Sequence, residues 1–176
     1  MKKADSVHSE ILGTGRYLLE LMKAGLLDSK APEKPDEISW ASIYKLAKKH
    51  SVESIMVYGM ETLDNKPPRE MWEQLKNLPQ YVTYRGLRYE VEREHILKEM
   101  KEAGLSYMPL KGIHLSQYYP KPGMRIMADN DILFGYVEQN EDGSRKRKGA
   151  SLGEQEQNQE EASRVLGQIM QKLKYE

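Results

Sequence analysis

The alternation of apolar and polar positions follows a helical period for about the first hundred residues and then changes. In "SVHSEILGTGRYLLELMKAGLL", Ile11, Leu18, Met22 and Leu26 fall near one helical face. Gly13 and Gly15 weaken the first half of that helix. "DSKAPEKPDE" combines two prolines with charges and no large apolar residue, and reads as a linker. Ser39 is placed to cap "WASIYKLAKKH", with Trp40, Ile43, Tyr44 and Ala47 facing inward. Ser51 is expected to cap "VESIMVYGMETL", and Pro68 suits the first turn of a short helix holding "REMWEQLKN". A long helix is predicted over about 80–103, with Tyr84, Leu87, Val91 and Met100 on one side and Gly104 as its C-cap. Tyr81, Tyr84 and Tyr89 are expected to pack between helices.

After Gly104 the pattern shifts. "LSYMPL" (105–110) reads as a buried strand bounded by Gly104 and Lys111-Gly112. "IHLSQYY" fits two helical turns, "PKPG" a loop, and "RIMADNDILFGYV" a second strand of mixed polarity. Strand, short helix and strand form a compact α/β unit. From Glu138 to Glu161 large apolar residues nearly vanish, Leu152 excepted, which is the composition of a disordered or solvated linker. Ala162, Val165, Leu166, Ile169, Met170 and Leu173 then recur at helical spacing. The expected organisation is a helical region over 1–103, a strand-helix-strand core over 104–137, a flexible polar linker over 138–158 and an amphipathic helix over 159–176. The fold class is α+β, mostly helical.

Composition narrows the function classes. Charged residues make up 31% of the 176 and apolar residues 39%, so one core is attainable and long solvated stretches are expected. The formal net charge is zero, which gives no strong pull toward nucleic acid or an anionic membrane. Cysteine is absent, which excludes disulfides and thiol catalysis and fits a reducing compartment. The N-terminus has no apolar signal-peptide core and no run reaches membrane-spanning length, so a cytoplasmic protein is expected. "RKRK" (145–148) lies among acidic residues without interleaved aromatics and reads as solvated linker. His114 is expected to be a partly buried packing residue.

The candidate chemistry lies in "LKGIHLSQYYPKPGMRIMADNDILF". On a strand, Asp129 and Asp131 would share a face with Cα atoms roughly 6.5–7 Å apart. Two carboxylates on one face can hold Mg²⁺, which takes one or two carboxylates and completes its shell with substrate phosphates. Acidic pairs at strand ends also serve purely structural roles. Lys111-Gly112 ends the first strand and opens a helix, where Gly lets the backbone approach a phosphate and Lys adds a point charge. A tight turn with a solvated lysine is the structural alternative.

The ordered combination Lys111-Gly112, Tyr119-Pro120, Arg125 and Asp129/Asp131 resembles the core of the uncharacterised nucleotidyltransferase family of the DNA polymerase β-like superfamily. "ISWASIYKLAKKHSVESIMVYGMETL" resembles its helical lead-in, and the resemblance covers roughly residues 38–136. It implies Mg²⁺-dependent transfer of a nucleotidyl group from an NTP to an unknown hydroxyl acceptor. It further implies Asp129 and Asp131 as catalytic metal ligands, with Lys111, Gly112 and Arg125 as nucleotide-binding residues. Arg125 could equally brace the acidic strand as a salt-bridge partner.

Three departures bear on this. Asn130 stands where the family pattern is apolar, and a buried amide without partners costs about 1–3 kcal/mol. Gly112 lacks the following Ser common in the superfamily. No third carboxylate is found on a later strand, so the chain reads as a shortened member. An open sheet edge would invite a protein partner. The alternative function is a non-catalytic regulatory or antitoxin-like interaction module that retains the scaffold.

Overall fold

The computed structural model describes residues 2–174, with side chains from Ile11 onward. Among the described residues the fold is α+β and mostly helical, with two small antiparallel two-stranded sheets. The elements are α1 (Lys2–Leu27), α2 (Trp40–Lys49), α3 (Glu53–Met60), α4 (Arg69–Leu75), α5 (Leu78–Glu102), β1 (Ser106–Pro109), α6 (Gly112–Ser116), β2 (Ile132–Gly135), β3 (Val137–Gln139), β4 (Arg145–Arg147) and α7 (Leu152–Lys172). They form two compact units. The first comprises the chain up to Leu87 with Ser116–Ala128, the second Arg88–Leu115 with the chain from Asp129.

The helix boundaries follow capping chemistry. Ser39 Oγ accepts the Ser42 amide at 3.0 Å, so Ser39 caps α2 as its position suggests. Ser51 does not cap α3; that place falls to Val52, which makes no side-chain cap bond. Ser51 instead takes φ +53° and ends α2. The Val52 amide reaches Ala47 O (3.0 Å) and the Ser51 amide reaches Lys48 O (3.2 Å), the paired bonds of a left-handed C-terminal cap. Only three residues separate α2 from α3, so the residue that would cap the second helix is already used to close the first. The same closure ends α5, with Gly104 at φ +73°, its amide on Lys101 O and the Leu105 amide on Met100 O.

The core of the first unit is built on α1 and α3. Leu21, Ile43, Met56, Val57 and Met60 are fully buried there. The two helices touch through backbone. A Cβ on Gly59 would stand 2.0 Å from Leu21 O, and one on Gly25 would stand 2.8 Å from Ile55 O. Small residues at both crossing points therefore set the distance between the helices. The segment after α6 is fixed within the same unit. Ser54 Oγ donates to Gly123 O, Tyr58 OH donates to Pro122 O (2.7 Å), and Met124 is fully buried.

The second unit has a smaller core. Ile96, Met100 and Leu105 pack with Ala162 and Ile169 of α7, and Ile132, Phe134 and Tyr136 cover them. β1 pairs antiparallel with β2, Tyr107 opposite Phe134 and Met108 opposite Leu133. The strand at 105–110, expected to be buried, is half open: Met108 and Leu133 are each 51% exposed. Tyr81 and Tyr84 of α5, expected to pack between helices, are also exposed, as are Leu87 and Val91, while Met100, expected on the same side as Tyr84, Leu87 and Val91, is buried.

Residues 138–158 hold secondary structure in place of the linker expected there. β3 and β4 pair as a hairpin, Val137 opposite Arg147 and Gln139 opposite Arg145. Its turn is closed by Asp142, which accepts from the Ser144 amide (2.8 Å) and hydroxyl (2.6 Å). α7 begins at Leu152, well before the apolar positions that betrayed it in sequence, because Ser151 accepts the Glu154 amide and Glu154 reaches back to the Ala150 amide at 2.7 Å. Local hydrogen bonds stabilise both elements with little apolar burial, which is why hydropathy does not reveal them.

Candidate functional site

The candidate residues of the second unit meet where the β1–β2 ladder ends. The Leu110 amide donates to Asp131 O at 2.8 Å, one step beyond the Pro109–Ile132 pair. That bond brings Lys111 opposite the acidic segment, with Lys111 Nζ 3.8 Å from Asp131 Oδ2. Their side chains are 78% and 45% exposed, so this ion pair adds little stability and leaves both groups accessible. Asp129 is exposed.

Asp129 and Asp131 do not lie on a strand. β2 starts at Ile132, and Asp129–Asp131 has no regular structure, so strand alternation cannot place the two carboxylates on one face. The reason is Asn130. Its Nδ2 donates to Tyr89 O at 3.1 Å and its Oδ1 accepts from Arg93 Nη1 at 3.3 Å. Both ends of the amide are bound to α5, which draws the acidic segment out of the ladder and onto the helix. The departure from the apolar family pattern is thereby satisfied. Arg93, 14% exposed, is a positioning residue that sequence reading missed. A lone Arg on a charged helix carries no signal, although the amide at Asn130 pointed to a partner of this kind.

The Lys111 backbone takes φ +40°, a conformation uncommon for a residue with a side chain. It turns the chain sharply from strand into α6, with the Leu115 amide on Lys111 O at 2.9 Å. His114 is exposed, and its Nε2–H donates to Pro109 O at 2.8 Å, bracing the same turn. α6 spans five residues, Gly112–Ser116, too few aligned peptide dipoles to form an anion site by itself. Lys111 and the Gly112 backbone therefore carry any attraction for phosphate here. Arg125 belongs to the first unit, where it is half-buried and its Nε has no hydrogen-bond partner among the described residues. Such a donor costs about 1–3 kcal/mol until water or a ligand oxygen satisfies it.

Among the described residues no cluster of three or more His, Cys, Asp or Glu side chains is grouped to hold a metal ion. Asp131 beside Lys111, with Asp129 two residues earlier on the same irregular segment, does not fit a free cation. It fits Mg²⁺ that arrives with phosphate ligands of its own. No helix among the described residues is long and apolar enough to cross a membrane.

Comparison with known proteins adds the family. The model of the family described as uncharacterised nucleotidyltransferase matches residues 36–141, more than half of the chain. No curated protein and no solved structure matches. The match spans α2 through β3 and contains Lys111, Gly112, Arg125, Asp129 and Asp131. Nucleotidyltransferases generally use divalent metals. With its core elements in the expected order and the family match covering them, the chain belongs to the uncharacterised nucleotidyltransferase family.

Proposed function

We propose that the chain binds a Mg²⁺-nucleoside triphosphate at Lys111, Gly112, Asp129 and Asp131 and transfers its nucleotidyl group to a hydroxyl acceptor. The observation that carries this reading is the approach of Lys111 Nζ to Asp131 Oδ2 at 3.8 Å, on a segment held to α5 by Asn130. The pair places a cation beside a carboxylate with both side chains open to solvent, a charge arrangement that suits a metal-bound polyphosphate.

Asp129 and Asp131 would hold Mg²⁺, which when bound neutralises phosphate charge and polarises the reacting phosphorus. Lys111 adds positive charge on the polyphosphate side. Gly112 lets the backbone come close to the phosphate chain. Arg93 and Asn130 keep the carboxylates on a fixed segment, so little reorganisation is needed on binding. In the transfer, the acceptor hydroxyl oxygen bonds to the α-phosphorus and the bond to the α–β bridging oxygen breaks. Pyrophosphate leaves with that electron pair, and the hydroxyl proton passes to water.

A second reading, a non-catalytic module on the same scaffold, draws support from the donor count, since the acidic segment offers two carboxylates. Calorimetric titration with ATP and GTP, with and without Mg²⁺, separates the two. The transferase reading expects Mg²⁺-dependent heat that Asp131→Asn removes. The module reading expects no Mg²⁺-dependent nucleotide heat from either protein.

A further inference from the structure

The "RKRK" segment is β4 with the residue that follows it, and it borders a cavity. Within the second unit an open cavity of about 500 Å³ is lined by β1, β2, the β3–β4 hairpin and α7, a size within the range of small-molecule sites. None of Lys111, Gly112, Asp129 or Asp131 lines it.

The chemistry of its wall is sorted by strand alternation. Arg145 and Arg147 are two apart on β4 and so share a face, the face of Val137, and all three line the cavity. Lys146 points the other way and pairs with Glu138 at 3.1 Å. The hairpin thus neutralises charge on one face and leaves two guanidinium groups on the other. Neither arginine pairs with a carboxylate among the described residues, and no described Asp or Glu lines the cavity. Lys148 adds a third cation at the same border.

The border is built. The Lys148 amide donates to Tyr136 O (3.0 Å), Asn158 Nδ2 donates to Lys148 O (2.9 Å), and Gln155 Nε2 donates to Gly149 O (3.1 Å). Gly149 sits at φ +126°, where a Cβ would meet the Gln155 amide nitrogen at 2.9 Å. These bonds tie the end of β4 to the first turns of α7. The rest of the lining is largely apolar and includes Tyr107, 37% exposed, and the half-exposed Met108 and Leu133. Ser106 faces Gly135 across the ladder, so no large side chain fills that end, and Gln159 Oε1 lies 3.3 Å from where a Gly135 Cβ would stand.

We propose that this cavity binds a nucleoside phosphate, separate from the Asp129/Asp131 segment. Paired guanidinium groups match phosphate oxygens, an exposed tyrosine ring offers a stacking face for a base, and side-chain amides can meet the base edge. A nucleotide joins a flat, weakly polar ring to an anion, the combination this wall presents. Free mononucleotide and the terminal nucleotide of an RNA share that chemistry. The site stands whether or not the acidic pair is catalytic.

The test is fluorescence titration of the whole chain in EDTA with two probes: mant-labelled AMP, and a short RNA carrying 2-aminopurine at its 3′ end. Saturable binding of either probe is expected, the tighter one identifying the source. Arg145→Ser with Arg147→Ser should weaken it about tenfold or more. Lys146→Ser, which removes a charge from the opposite face, should leave binding unchanged, and so should Asp131→Asn. Absence of binding by both probes would overturn the site. Equal loss in Lys146→Ser would reduce it to unspecific charge attraction and overturn it as well. Displacement of mant-AMP by a hexaglutamate peptide as effectively as by AMP would assign the groove to acidic peptides instead. Loss in Asp131→Asn alone would move the nucleotide to the acidic segment and overturn this cavity while leaving the transferase reading intact.

Discussion

The two units divide the tasks of a small protein differently. In the first, α1 and α3 meet backbone to backbone at Gly25 and Gly59, with Leu21, Met56 and Met60 fully buried around them. In the second, short strands leave Met108 and Leu133 half exposed, and much of the order comes from polar bonds such as those at Asn130, Ser144 and Gln155. Close packing fixes a shape but leaves nothing for a ligand to touch. Polar bracing fixes a segment while keeping its carboxylates and cations in water. The candidate chemistry falls in the second kind of structure.

The largest expected effect breaks the first kind. Gly59→Ala places a methyl group 2.0 Å from Leu21 O, and neither backbone can yield. A loss of about 3 kcal/mol, the upper end of ordinary overpacking, is expected in urea unfolding. A midpoint equal to wild type would show that α1 and α3 are not held at that distance. In the second unit, Asn130→Ala removes both bonds to α5 and leaves Arg93 short of one acceptor. The expected cost is about 1–3 kcal/mol. The decisive readout is the accessibility of the acidic segment, measured as faster amide exchange at Asp129–Asp131, with exchange in α1 unchanged.

A pH titration sharpens the contrast. Burial, with a smaller contribution from the Glu33 carboxylate, pushes the Tyr17 hydroxyl up to about 12, and its OH donates to Pro32 O at 3.1 Å. The folded state therefore holds the neutral phenol while the unfolded chain ionises near the ordinary value of about 10. This contribution is complete below pH ~10 and is lost as pH rises from there toward about 12. Wild type should lose on the order of 2 kcal/mol more than Tyr17→Phe across that window. Parallel curves for the two proteins would contradict it. The smallest effect is expected at the exposed Lys172–Glu99 pair (2.6 Å), where Lys172→Ala should leave the melting midpoint close to that of wild type.

What the sequence revealed divides along the same line. Elements held by apolar burial were legible: α2 with its Ser39 cap, the closure of α5 at Gly104, and the order of strand, short helix and strand around Lys111-Gly112. Elements held by polar bonds were not. The β3–β4 hairpin and the first turns of α7 look like linker because their stabilising groups are Asp142, Ser144, Ser151 and Glu154. β2 was expected to run through Asp129 and Asp131, and Asn130 shortened it by bonding to α5. The exposed Tyr84, Leu87 and Val91 show the converse limit, since helical spacing identifies a face without saying what covers it. Lys111, Gly112, Arg125, Asp129 and Asp131 were readable as residue types in order, while Arg93 became visible only with the fold.

The central claim is that the acidic segment held by Asn130 receives a metal-bound nucleotide, and calorimetry tests it most directly. Wild type titrated with ATP or GTP should give more heat with Mg²⁺ than in EDTA. Asp131→Asn should abolish that Mg²⁺-dependent increment while its thermal midpoint stays near wild type. An equal Mg²⁺-dependent increment in both proteins, or none in either, would contradict the account.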